Sequence, residues 1–279
     1  MIYKRAALEK VKVAALGEPD RQRDHADAFK GTSTPMFRLL RFLTGAALLP
    51  LCVSVSLALL ETLRSIQTSG ELLSPEALWL LTGYLLWLVM WFFLPQPVRA
   101  YVVAHELTHA LWGLLFGARV RNLKVSASGG SVRVSKSNML ITLAPYFFPL
   151  YTVLVILLYL LTRCFVNPAP MPLAWLFFVG LTWGFHVTFT VQSLMISQPD
   201  IHEYGQLISY VLIYLFNLVG VGVWVVCTTS ATFSTFAAAL GTHTLAAYAS
   251  VHDEIRARVT HLSQTVLPPL VNLFHHRGA

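Results

Sequence analysis

The sequence predicts an all-α polytopic membrane protein: about six transmembrane helices, one short additional helix carrying an HExxH motif, and a small β-hairpin. Three observations predict it. Only 12% of the 279 residues are charged and 56% are hydrophobic, which is roughly half the charge of an ordinary soluble domain. Mean hydropathy is +0.62, the reverse of the balance that keeps a chain disordered. The remaining charges are also segregated: from Ala77 to His252 the acidic residues are Glu106, Asp200 and Glu203 alone.

Residues 1–38 read as a cytoplasmic tail. Met1–Arg41 carries nine Lys/Arg against five Asp/Glu, and such a basic excess beside a first span marks the cytoplasmic side. Residues 1–16 have an amphipathic pattern, with Leu8, Val11 and Ala15 on one side, that suits a surface helix. The first apolar run, Phe42–Leu60, begins too late for a cleaved signal peptide and is expected to remain as an anchor. Ala77–Val98, Met139–Thr162 and Cys164–Pro199 follow, each without Asp, Glu, Lys or Arg. Tyr204–His252 is long enough for two spans, with a break near Thr228–Ser230. A crossing takes about 20 apolar residues, and hydrocarbon satisfies no backbone group, so these runs must be helical. Residues 39–250 therefore form a membrane-embedded domain, and 251–279 a second cytoplasmic tail with an interfacial helix interrupted at Pro268 and Pro269.

The 117–138 segment holds the hairpin. Val120–Ser126 and Ser131–Ser135 alternate apolar and polar residues around Ser128, Gly129 and Gly130. Its Arg119, Arg121, Lys124, Arg133 and Lys136 make it a cytoplasmic loop, so the helix before it does not cross fully. In the next run Pro145 and Pro149 are expected to kink the helix. The net charge of +7 follows from orientation and attraction to anionic lipid, with no need of nucleic acid as a partner. Cys52, Cys164 and Cys227 lie in or beside apolar runs without CxxC spacing, which makes packing their role.

The chemistry is concentrated in Tyr101–Gly117, which contains His105-Glu106-Leu107-Thr108-His109. On a helix, residues i and i+4 share a face, so both imidazoles can reach one Zn²⁺. Glu106, beside them, suits a general base acting on water rather than a ligand. Charged groups inside apolar segments are costly and generally functional. A catalytic zinc needs a third protein ligand. The candidates are Asp200, Glu203 and His202, in the segment after the fifth apolar run, and His186 within that run. Asp200 has a second reading as a helix N-cap beside Pro199.

HExxH in an apolar helix, a short strand pair, and an Asp after Pro at the membrane edge together resemble the site-2-protease family of intramembrane zinc metalloproteases. The resemblance covers roughly residues 99–205. It implies a zinc ion held by His105, His109 and Asp200, with Glu106 catalytic. It also implies hydrolysis of peptide bonds in a membrane protein or membrane-associated peptide, and multi-pass insertion; for a bacterial chain the membrane would be the inner one. The chain departs from the family in carrying Ile201 where Gly commonly follows the Asp, and in lacking a PDZ-like insertion. The competing expectation is a non-catalytic scaffold or assembly factor that retains a structural metal site. A transporter built of two matching halves has no counterpart in this sequence.

Overall fold

The computed structural model describes residues 34–68, 74–126, 129–165, 173–196 and 198–265. The surface helix expected at 1–16 and the interruption at Pro268 and Pro269 lie outside them. Among the described residues there are nine helices and one antiparallel strand pair: α1 (Pro35–Thr68), α2 (Pro75–Phe93), α3 (Val98–Leu115), β1 (Val120–Ser126), β2 (Gly129–Val134), α4 (Met139–Phe147), α5 (Leu150–Phe165), α6 (Leu173–Leu194), α7 (Pro199–Tyr204), α8 (Gln206–Thr228) and α9 (Phe233–Thr265). Helices α1, α2, α6 and α8 are long and apolar enough to cross a membrane, and the α4–α5 pair makes a fifth when counted as one bent span. Exposed Leu39, Phe42, Leu85, Phe92, Leu157, Leu161 and Phe178 cover their outer surfaces, a burden that lipid accepts and water does not. The sixth expected span corresponds to α9. Its first half mixes Ala with Ser, Thr, Gly and His243, and its second half carries Asp253, Glu254, Arg256 and Arg258.

Local signals set the element ends. Ser74 caps α2 by accepting the Ala77 N–H at 3.2 Å, with Pro75 in the first turn, where no N–H partner is needed. Asn138 caps α4 through the Ile141 N–H at 2.9 Å. Between α4 and α5 the chain bends by 76°. Phe148 there is extended, at φ −101° and ψ 106°, as a residue before proline must be, whereas Pro145 stays inside α4. Helix α8 ends at Thr228 and α9 starts behind a reciprocal cap in which Thr232 and Thr235 each accept the other's N–H at 3.1 Å.

The described residues divide into two compact units, one comprising 34–46 with Ile66–Asn217, the other Ala47–Ser65 with 218–265. In the second, Ala58, Val226, Phe236 and Ala239 form the core. There His243 Nε2 lies 2.8 Å from Glu61 Oε2, and the Tyr248 hydroxyl donates to the Ala47 carbonyl at 2.7 Å.

In the first unit, α2 and α6 meet at glycines. A Cβ on Gly83 would stand 1.9 Å from the Phe177 carbonyl oxygen, and one on Gly180 1.9 Å from that of Leu80. Gly180 and Gly184 form a small-xxx-small face of the kind that lets membrane helices approach backbone to backbone. Trp87 fills the space over Gly184 and donates its Nε1–H to Thr188 Oγ1 at 2.9 Å. The α6 side then receives α3: Tyr101 stacks on Phe189 with ring centroids 4.7 Å apart, within a core of Trp87, Val98, Tyr101, Val102, Phe185 and Phe189. The hairpin lies along α3, with Val125 paired to Gly130 and a bulge between Arg121 and Lys124. The bulge is accommodated by Asn122 at φ 52°, a conformation Asn tolerates better than most residues.

Candidate metal centre

Helix α3 presents His105 and His109 one turn apart, and their Nε2 atoms converge to 3.2 Å. Each ring is oriented from its other nitrogen. His109 Nδ1 is 2.9 Å from the Ile141 carbonyl, which can only accept, so Nδ1 carries the proton and the Nε2 lone pair of the neutral ring faces His105. His105 Nδ1 lies 3.4 Å from the Tyr101 hydroxyl, which also contacts Ser193 Oγ.

Asp200 comes from α7. Its Oδ2 is 3.4 Å from His105 Nε2 and 3.6 Å from His109 Nε2. The Tyr146 hydroxyl donates to that same oxygen at 3.1 Å. Helix α7 is positioned by Ile201, which packs with Leu143, Ala144, Tyr146, Phe147 and Ile213, and by the Ser209 hydroxyl donating to the Ile201 carbonyl at 3.1 Å. Gly205, at φ 103°, makes the turn into α8. The N-cap position of α7 belongs to Gln198, so Asp200 is turned to the histidines instead of capping. Tyr204 ends α7; burial, then the adjacent Glu203 carboxylate, pushes its hydroxyl up to about 12.

His105, His109 and Asp200 are, among the described residues, one group of three metal-ligating side chains whose donor atoms lie within 4.8 Å of one another. The spacing is compatible with a small transition-metal ion. Two ligands about 2.1 Å from zinc at tetrahedral angles are about 3.4 Å apart, and the three edges here are 3.2, 3.4 and 3.6 Å. The donor set is two imidazoles and one carboxylate, and a divalent cation would offset the charge that Asp200 and Glu106 bring into a buried place. The cluster could bind metal.

Glu106 follows His105 on α3 and is 2% exposed. Gly130 of β2 stands against it so closely that a Cβ there would be 2.6 Å from Glu106 Cγ and from Val102 Cγ1. Of the other candidate ligands, His202 and Glu203 are on α7 but outside the group of three. The Glu203 carbonyl accepts from Arg41 Nη1 at 3.5 Å, and Arg41 lies over the Tyr204 ring at 5.2 Å. His186 also stands outside the group, lining a cleft next to His105. Tyr146 and Gly130 are the neighbours that sequence reasoning missed. Tyr146 was visible only as part of a proline-broken run, and Gly130 only as a turn residue.

No protein-family model matches the chain, and neither curated proteins nor solved structures give a match to it.

Proposed function

We propose that this chain is a zinc-dependent intramembrane protease that hydrolyses peptide bonds of a membrane protein or membrane-associated peptide. The observation that carries the reading is the triangle of His105, His109 and Asp200 with the Glu106 carboxylate on the adjoining helical position, in a chain with four or five helices able to cross a membrane. Zinc, when bound, supplies a Lewis acid that polarises a carbonyl and makes water acidic enough to attack near neutral pH. Glu106 takes the proton from the attacking water and returns it to the leaving nitrogen. His109 is held in the right tautomer by the Ile141 carbonyl, and Asp200 is steadied by Tyr146, the outer contacts that metal ligands generally require. The scissile segment must be extended when it arrives, because a helical one hides its carbonyls in hydrogen bonds. The nine basic residues ahead of the first long apolar run support a cytoplasmic N-terminus, in a bacterial cell at the inner membrane.

The scaffold alternative requires a structural site closed by four protein ligands, leaving no position for water. Among the described residues the group has three, which favours the catalytic reading. Purified protein should carry one zinc per chain and cut a reporter transmembrane segment in detergent. Glu106→Gln should keep the zinc and lose cleavage. Cleavage retained by that variant, or a wild-type protein devoid of zinc after metal-replete purification, refutes the reading.

A further inference from the structure

Two of the three candidate ligands have an outer contact of fixed sense. His109 Nδ1 faces the Ile141 carbonyl, which only accepts, and Asp200 Oδ2 accepts from the Tyr146 hydroxyl. His105 differs. Its Nδ1 faces the Tyr101 hydroxyl at 3.4 Å, and a phenol can either donate or accept. The sense of that contact fixes which nitrogen of His105 is bare. An ion held among the three side chains needs the lone pair of His105 Nε2, the atom that converges on His109 Nε2 and Asp200 Oδ2. The single proton of the neutral ring is then on Nδ1, and the Tyr101 oxygen must accept it.

The fold places Tyr101 for this. It precedes His105 by one helical turn, as His105 precedes His109, so the three side chains share a face of α3. On α6, Phe189 and Ser193 repeat the spacing. Phe189 stacks on the Tyr101 ring with centroids 4.7 Å apart, and Ser193 Oγ lies 2.5 Å from the Tyr101 hydroxyl. Ser193 is fully buried, and Tyr101 is the partner of its hydroxyl among the described residues. A tyrosine oxygen that accepts from His105 still has its own proton to place, and Ser193 Oγ is the acceptor within reach. Hydrogen bonds in such a row strengthen one another. Without Ser193 the phenol proton turns to its other contact, His105 Nδ1, which favours the tautomer whose Nε2 carries the proton and is closed to a metal.

We infer that Tyr101 and Ser193 are positioning residues for the metal: the row from His105 Nδ1–H to the Tyr101 hydroxyl to Ser193 Oγ keeps His105 Nε2 bare and aimed at the ion. The inference rests on the reading of His105, His109 and Asp200 as ligands, and on no feature of the proteolysis. The experiment compares wild type, Tyr101→Phe, Ser193→Ala and the double variant in detergent, with zinc affinity read by chelator competition. Each single change is expected to weaken zinc about tenfold, the lower end of what the loss of an outer contact costs. The double variant is expected to stay within about twofold of Tyr101→Phe, because Ser193 acts only through the phenol, whereas independent defects would add to about a hundredfold.

A second measurement needs no change at Ser193. In NMR of the zinc-loaded, histidine-labelled protein, both liganding rings should be protonated at Nδ1, and Tyr101→Phe should shift one of those two Nδ1–H signals upfield, as a proton that has lost its acceptor. The inference is overturned if Ser193→Ala binds zinc as tightly as wild type, if the two losses add in the double variant, or if Tyr101→Phe leaves both Nδ1–H signals in place. The metal reading fails separately, when the wild-type protein itself binds no zinc.

Discussion

Replacing Gly130 with Ala puts one methyl group where Glu106 now lies. The new Cβ would be 2.6 Å from Glu106 Cγ, 2.6 Å from Val102 Cγ1 and 3.2 Å from Glu106 Cδ. Carbon atoms rest about 3.5–4.0 Å apart, so something must move by about 1 Å. The strand is held by its pairing of Gly130 with Val125, and Val102 is locked in the α3–α6 core at 3% exposure. The Glu106 side chain is the part that can yield. Overpacking of this kind costs about 1–3 kcal/mol of stability, while misplacing a catalytic group by about 1 Å costs about 10²-fold in rate. The assay is cleavage of a reporter transmembrane segment in detergent, with zinc determined on the same samples. Gly130→Ala is expected to lose about a hundredfold in kcat/KM with its zinc retained, because the three atoms nearest the new methyl belong to Glu106 and Val102 and not to His105, His109 or Asp200. Wild-type cleavage by this variant would refute the placement of Glu106 as the general base pressed under β2.

Other consequences are as direct. Tyr146→Phe removes the hydrogen bond to Asp200 Oδ2 but keeps the ring against His105; zinc affinity, measured by chelator competition, should weaken about 10–100-fold. Asp200→Ala should purify with little zinc, while Glu203→Ala retains it. A chelator should abolish cleavage and added zinc restore it, whereas magnesium should not, since imidazole donors suit zinc and magnesium prefers oxygen. Gly180→Ala would push a Cβ to 1.9 Å from the Leu80 carbonyl oxygen. Separating α2 from α6 in this way should lower the melting temperature in detergent, at a cost of about 1–3 kcal/mol or more.

The long spans were legible because an uncharged run has one physical solution in lipid. The hairpin was legible because its alternation survives on either side of two glycines. The exception is α9: lack of charge made it a span on paper, but Ala, Ser, Thr and His243 give it too little hydropathy to qualify among the crossing helices. The HExxH pair was legible because helical periodicity alone brings two rings to one face. Asp200 was legible only as one carboxylate among several, since its choice depends on how Ile201 seats α7 and on Gln198 taking the cap. Tyr146 and Gly130 showed only as a proline-broken run and a turn, because each acts through a contact between segments far apart in the chain.

The elbow between α4 and α5 carries one more implication. Pro149 has no N–H to offer the carbonyl of Pro145, and the carbonyl of Tyr146 is taken up instead by the Asn217 amide. The Pro145 carbonyl must find its donor outside the helix, and Pro145 borders the same cleft as His105. If the chain is the protease proposed above, this break in the helix is where water would come close to the ligands.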